Sequence, residues 1–369
     1  MKIGIITLPL HTNYGGILQA WALQIVLERM GHEVEYIEHK TNNRLLPISV
    51  RYLVYVKRLM RKIFHGSRER VFLENYRYRT NPIVRQHTDK FIKKYIHLRY
   101  VRTFAEIQEN DYEILVVGSD QVWRNGEKKE RTDFSVFLDF AESWNIKKLS
   151  YASSFGGDKW TYSSESTAKI ANSLKTFNAV SVREESAVKM LKDNVRVEAW
   201  HVLDPTMLLS MDDYMDIVKQ SNTPSSAGDL MCYILDEKPE TTTFINRIES
   251  EKGYISFRSN SKVEDIMAPL KDRIQPPLEQ WLKGFEDAKL IITDSFHACV
   301  FSILFNKPFI CLGNGKRGMS RFESLFSLID QQYRLVKDID RVDERCFCRP
   351  DADLSTSRDN SLNYLKFNM

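Results

Sequence analysis

Short apolar, β-branched runs recur along this chain, and each stops abruptly in polar residues or glycine. Such runs cover residues 2–8, 33–38, 112–117, 147–152, 179–182 and 195–202, and later 230–235, 254–257, Leu290–Thr293 and Phe309–Leu312. Between them lie stretches whose apolar residues recur at three- and four-residue spacing. The first, 17–30, puts Leu18, Trp21, Ala22 and Ile25 on one face and stops at Gly31. Others cover 168–177, 186–191, 242–251, 278–288, 298–304 and 321–328. Buried strands alternating with amphipathic helices predict α/β architecture with parallel sheets. The stretch 221–228, SNTPSSAG, is the best linker. It divides the chain into an N-terminal Rossmann-like domain, 1–220, and a C-terminal one, 229–369, facing each other across a cleft. The polar tail after residue 338 ends in a helix, 361–367, expected to dock back on the first domain.

One segment breaks the rhythm. Residues 41–102 hold 16 Lys and Arg against Glu69, Glu74 and Asp89, a net +13, which leaves −9 for the rest of a chain whose total is +4. Within it, 45–64 (LLPISVRYLVYVKRLMRKIF) is apolar at helical spacing with cations between. A basic helical insertion in the first domain, at about 41–110, is expected. Two readings stay open for it: contact with anionic membrane through 45–64 or with a lipid-linked acceptor, and a plain solvated basic face. An acidic remainder without a recognisable nucleic-acid module speaks against nucleic acid.

At 43% hydrophobic and 28% charged residues, 369 positions suffice for two ordinary cores. The N-terminal run reads as a first strand rather than a signal peptide, and no run is long enough to span a bilayer. Five cysteines (Cys232, Cys299, Cys311, Cys346, Cys348), mostly among apolar neighbours, read as reduced core residues. A cytoplasmic protein, peripheral at the inner face of the membrane in the first reading above, is the expectation.

The candidate chemistry sits where the strands stop. Asp294-Ser295-Phe296-His297 forms a corner between a strand and a helix, where backbone N–H groups and the helix dipole favour an anion. Comparable corners are Gly118-Ser119-Asp120-Gln121, Ser153-Ser154, Arg183-Glu184 and Leu203-Asp204-Pro205. Parallel strands end on one edge, so these corners predict one shared crevice. The first turn, Thr12-Asn13-Tyr14-Gly15-Gly16, is not the dinucleotide fingerprint. Its Asn13, Tyr14 and Gly15, with Gln19, are substrate-contact candidates. Asp204, before a proline, reads as a turn residue. The Asp-x-Asp pairs at 338–340 and 351–353 read as surface charge, and neither metal nor cofactor is expected.

Seven blocks, NYGGILQAWALQ, VVGSDQVWR, SYASSFG, SVREESAVKML, VLDPTMLL, TDSFHACVFSILFNKPFI and RGMSRFESLF, run in order from Asn13 to about Phe326. In them the chain resembles the polysaccharide pyruvyl transferases. The resemblance implies a glycosyltransferase-B-like pair of domains, acceptor side first and donor side second. It also implies transfer of the enolpyruvyl unit of phosphoenolpyruvate onto a sugar hydroxyl pair of a cell-surface polysaccharide or its precursor, as a ketal with release of phosphate. In that chemistry His297 suits the proton transfers, with Asp120 as base or hydroxyl orienter. Arg183 is the first choice as anion clamp, followed by Arg317 and Arg321. Ser119, Gln121, Ser154 and Ser295 are further substrate-binding candidates. Many relatives carry Asp-Arg-Leu-His where this chain has Asp-Ser-Phe-His, so Arg317 or Arg321 has to supply the missing charge if that Arg grips the donor. Two other functions fit the same architecture: a nucleotide-sugar-dependent glycosyltransferase, for which Glu323 could bind the ribose, and a non-catalytic scaffold for glycan assembly.

Overall fold

The computed structural model describes residues 1–39, 48–66, 69–126, 129–313 and 318–369. Its first half contains β1 (Lys2–Ile6), α1 (Tyr14–Arg29), β2 (Glu33–His39), α2 (Ile48–His65), α3 (Leu73–Val84), α4 (Gln86–Tyr95), β3 (Leu98–Val101), β4 (Ile114–Val117) and β5 (Lys147–Ser150). There follow α5 (Ser164–Leu174), β6 (Ser181–Val182), α6 (Glu185–Val195), β7 (Trp200–His201) and α7 (Met211–Lys219). The second half holds β8 (Leu230–Tyr233), α8 (Pro239–Lys252), β9 (Ser256–Phe257), α9 (Leu270–Arg273), α10 (Leu278–Asp287), β10 (Leu290–Thr293) and α11 (Phe296–Leu304). It closes with β11 (Phe309–Leu312), α12 (Ser320–Leu328), β12 (Leu335–Val336) and α13 (Ser355–Asn368).

Two parallel sheets result, with strand orders β3-β2-β1-β4-β5 and β12-β11-β10-β8-β9. Single bridges from Leu149 to Ala179 and from Ser153 to Val182 continue the first sheet toward the paired β6 and β7. The central strands β1, β4, β8, β10 and β11 are buried along almost their whole length, as strands covered by helices on both faces must be. Strand order reverses between β1 and β4 in one sheet and between β8 and β10 in the other. Such switch points open a crevice at the carboxyl ends of the strands. The fold is therefore α/β with two Rossmann-like sheets in a glycosyltransferase-B-like arrangement.

The halves share one hydrophobic core in which α1 and α7 meet α10 and α11. Tyr14 lies against Trp281, with ring centroids 5.5 Å apart, and its hydroxyl donates to the Pro276 carbonyl at 2.6 Å. Tyr214 meets Phe301 edge-on at 4.8 Å. The C-terminal helix α13 crosses to the first sheet, where the Tyr364 hydroxyl donates to the Ser150 carbonyl and Ser361 accepts from the Leu203 N–H.

Two details differ from the sequence reading. The basic insertion is not wholly outside the sheet, because its last part supplies the edge strand β3, paired in register with β2 from Tyr36↔Leu98 to His39↔Val101. The apolar stretch 195–202 shrinks to the two residues of β7. Val195 is still buried helix, and Arg196 ends α6 in the left-handed region at φ 56°, which turns the chain before a strand can form. The first residues of the 45–64 stretch lie outside the described residues.

Candidate functional site

The strand-end corners converge. Arg183 leaves β6 and is buried, with Nη1 donating to Asp204 Oδ2 at 2.8 Å and Nη2 3.5 Å from Asp120 Oδ1. Asp204 caps the turn 205–208: its Oδ1 accepts from the backbone N–H and the hydroxyl of Thr206 at 3.0 and 2.7 Å. Its other oxygen faces His297 of the opposite domain, at 3.6 Å from Nε2, an ion-pair contact longer than a hydrogen bond. Asp120 follows β4 with φ 69°, a left-handed conformation that an aspartate tolerates and a β-branched residue does not. It bridges to Ser153 beyond β5.

His297 reaches this junction because α11 starts directly after β10. Asp294 accepts the backbone N–H groups of Leu235 and Asp236 at 2.7 and 3.0 Å, and Thr293 Oγ1 accepts that of Ser295 at 3.0 Å. The corner is thereby fixed to the end of β8. Opposite stands α1, and it comes close only because position 15 is glycine. A Cβ there would overlap the His297 imidazole. A Cβ on Gly16 would face Asn13 and Asp120 at ordinary contact or slightly closer.

The remaining candidates sort themselves around this junction. Ser119 donates to the Ala152 carbonyl at 2.9 Å and lies 3.4 Å from Asp204 Oδ2. Ser154 donates to Glu184 Oε1 at 2.7 Å and accepts from the Gly156 N–H at 3.0 Å. Gln121 accepts from Arg124 beside Gly156. Ser295 occupies the N-cap position of α11 with no side-chain cap bond. Arg321, on the first turn of α12, is buried, and its guanidinium lies 5.5 Å from the Phe296 ring centroid, which carries Arg183 at 4.6 Å. Tyr14 points away into the domain interface. Gln19 turns back to the Gly16 carbonyl at 2.9 Å, so neither is at the junction. Arg317 lies outside the described residues.

Three residues at the junction are not among the sequence candidates: Asp204, Glu184 and Phe296. The signal for the two acids was present, since each stands at a strand-end corner. Their proximity to His297 depends on chain-distant packing that spacing does not encode.

Electrostatics make the junction unusual. Burial alone would raise the Asp204 carboxyl, but His297, Arg183 and the Thr206 hydroxyl hold it well below the usual carboxylate range. Burial works against the Arg183 charge, and Asp204, Asp120 and Glu184 outweigh it and raise its affinity for the proton. Arg321 goes the other way, pushed down to about 10 by burial and then by Arg183. Nε and Nη2 of Arg183, Oε2 of Glu184 and Nε2 of His297 are all buried without a hydrogen-bond partner. Donors left this way in a water-poor site are costly unless something else accepts from them.

The space lined by Arg183, Asp204, Phe296 and Arg321 is only about 20 Å3, and a larger cavity of about 520 Å3 lies between the first turn and the second half of the chain. His11, Thr12 and Asn13 line it from the first turn, with Asn260, Glu264 and Gln275 among the residues across from them. Among the described residues, no group of three or more His, Cys, Asp or Glu is placed to hold a metal ion.

A family model described as polysaccharide pyruvyl transferase matches residues 13–316. No curated protein matches the chain. Among solved structures, UDP-GlcNAc 2-epimerase from Neisseria meningitidis bound to UDP-GlcNAc is similar over 100% of this chain and 99% of its own, at 10% identity and a TM-score of 0.49. UDP-GlcNAc 2-epimerase from Methanocaldococcus jannaschii is similar over 100% of both chains, at 12% identity and a TM-score of 0.47. The E. coli ADP-heptose lps heptosyltransferase II is similar over 85% of each chain, at 11% identity and a TM-score of 0.37. Likenesses at this level transfer no activity to the present chain. The family match is different in kind: it runs through both sheets and contains Asp120, Arg183, Asp204 and His297, and the chain belongs to the polysaccharide pyruvyl transferase family.

Proposed function

We propose that the protein moves the enolpyruvyl unit of phosphoenolpyruvate onto two hydroxyls of one sugar in a polysaccharide or its precursor, and that it does so at the Arg183–Asp204–His297 junction. The observation that carries this reading is a pair of buried groups with unmet hydrogen bonds. Nε and Nη2 of Arg183 make no hydrogen bond, standing 4.0 and 3.5 Å from the Glu184 and Asp120 carboxylates, and His297 Nε2 has no hydrogen bond either. A small polyanion with a carboxylate and a phosphate suits such donors, and Arg321, 5.5 Å from the Phe296 ring centroid, adds a second cation.

The reaction balances as follows. His297 delivers a proton to the methylene carbon of the donor, which becomes the methyl group and leaves an oxocarbenium-like centre at the neighbouring carbon. One sugar hydroxyl adds there and gives up its proton, with Asp120 positioned as acceptor. The second hydroxyl then displaces phosphate, closing the ketal and returning a proton to the site. Asp204 acts as a positioning residue: it holds Arg183 at 2.8 Å and faces His297 Nε2 at 3.6 Å. The 520 Å3 cavity, lined by amides and carboxylates that suit sugar hydroxyls, is the proposed acceptor site.

Thermal unfolding with phosphoenolpyruvate, and separately with a panel of nucleotide sugars, tests the donor. At about 100 times its Kd a ligand of the folded state adds roughly 2.7 kcal/mol. The expected result is stabilisation by phosphoenolpyruvate that vanishes in Arg183→Ala. Stabilisation by a nucleotide sugar in its place overturns the proposal.

A further inference from the structure

Helix α2 is amphipathic the wrong way round for a helix of a water-soluble fold. Not one of its 18 residues is buried. Its polar side meets the protein: Arg51 donates to Asn75 at 3.0 Å, and Arg58 makes a two-pronged contact with Glu74 at 2.6 and 2.8 Å. Tyr55 adds an edge-on contact with Phe72. The apolar side faces outward. Ile48, Tyr52, Val56, Leu59 and Ile63 follow the three- and four-residue spacing of one stripe, widened by Leu53, Met60 and Phe64, and all eight are exposed. Ile48 is 78%, Leu53 70% and Phe64 71% accessible. A contiguous patch of this kind on a folded chain marks an interaction surface.

Charge selects the partner. By helical phase, Lys57 and Arg61 border the stripe on one side and Lys62 on the other, and all three are exposed. The helix carries no Asp or Glu. A second copy docked through the same face would bring like cations together, whereas lipid headgroups would bring anions. None of the described helices is long and apolar enough to cross a membrane. An apolar stripe bordered by Lys and Arg is the pattern of a helix lying in the headgroup layer. From these observations, which stand apart from the chemistry at the junction, we infer that α2 docks the protein on an anionic phospholipid surface, with Leu53, Met60 and Phe64 entering the acyl boundary and Lys57, Arg61 and Lys62 meeting the headgroups.

The base under α2 is hydrogen-bonded to both halves of the chain. Below it, α3 is tied to the second domain by the Arg273 contact with the Tyr76 hydroxyl at 3.2 Å and by the Gln275 N–H donated to the Val84 carbonyl at 3.0 Å. Arg85, between α3 and α4, donates to the Leu10 carbonyl ahead of the first turn at 3.1 Å.

The test is co-sedimentation with phosphatidylcholine vesicles, with and without phosphatidylglycerol, at about 0.1 M and about 1 M salt. Wild type, Leu53→Glu/Phe64→Glu and Lys57→Glu/Arg61→Glu/Lys62→Glu are compared, with the unfolding midpoint as the folding control. Binding to the anionic vesicles that weakens about a hundredfold when the three surface cations are removed or screened is expected. The apolar double variant should stay in the supernatant while unfolding at the wild-type midpoint. No binding by wild type, binding that both variants retain, or equal binding to neutral vesicles overturns the inference. So does a concentration-dependent dimer that the apolar variant abolishes while wild type ignores vesicles, which would assign the face to a second copy.

Discussion

Asp204 caps the turn after β7 and His297 lies on the first turn of α11, 93 positions further on, yet Oδ2 of one stands 3.6 Å from Nε2 of the other. The same oxygen receives Arg183 at 2.8 Å. One carboxylate thus serves a cation of its own domain and an imidazole of the other, and its removal leaves both behind in a buried site. Asp204→Ala should destabilise the protein by about 3–5 kcal/mol, the range for breaking a buried pair from one side. Asp204→Asn should cost less, because the amide still accepts from Thr206. Denaturant titration of the three proteins checks the order.

The depressed Asp204 carboxyl also fixes the sign of a pH effect. Folding lowers its proton affinity, so the unfolded chain takes up the proton first as the solution is acidified. The contribution of the carboxylate is complete above about pH 5, where the unfolded group is almost fully ionised, and is lost progressively as pH falls below it. The stability gap between wild type and Asp204→Asn should therefore be constant from neutrality to about pH 5 and narrow below about pH 4. A gap that widens on acidification would show that Asp204 is not the ionised partner of Arg183.

Gly15 makes the close approach of α1 to His297 sterically allowed. In Gly15→Ala the methyl group meets the whole imidazole and its Cβ, so either the ring or the helix has to move. Overpacking of this sort costs about 1–3 kcal/mol. Because the displaced group is the proposed proton donor, the loss in turnover should far exceed the loss in stability. Steady-state kinetics beside a melting curve separate the two. A variant with wild-type turnover would remove His297 from the reaction.

Arg321, as a proposed donor-binding cation, sits where burial disfavours its charge. Burial and Arg183 push its guanidinium down to about 10, so the charge is held against an unfavourable field. Replacing it with an apolar residue of similar length should leave the midpoint of the ligand-free protein unchanged or higher while abolishing stabilisation by an anionic donor. Arg321→Met tested by thermal unfolding with and without phosphoenolpyruvate gives that contrast.

Arg183→Lys keeps the charge and should still fail. A lysine ammonium cannot span Asp204 and Asp120 and also present planar N–H groups to a donor. A rise in the donor KM of about tenfold or more is expected, with the variant folded.

The alternation of short buried strands and amphipathic helices made both parallel sheets legible before any coordinates, because side-chain period reports burial directly. The crevice was legible for the same reason: parallel strands end on one edge, so Asp120, Arg183 and His297 stood out as polar residues at strand ends. Asp204 did not, since Asp-Pro is an ordinary turn signal and its partners are set by the packing of two domains. Tyr14 and Gln19 lie away from the junction. They flank the glycine turn in sequence, but helical phase sends one into the domain interface and the other back to its own helix. Periodicity identified α2 as amphipathic without telling which side the protein takes. That choice was made by Glu74 and Asn75 of α3, which draw the arginines inward.

The most direct test of the central claim follows the donor carbon. Phosphoenolpyruvate labelled in its three-carbon unit, incubated with an acceptor glycan and either wild type or His297→Ala, should give a labelled pyruvate ketal and one phosphate per ketal with wild type only. Label that stays in phosphoenolpyruvate while a nucleotide sugar donates its glycosyl group to the same acceptor would contradict the account.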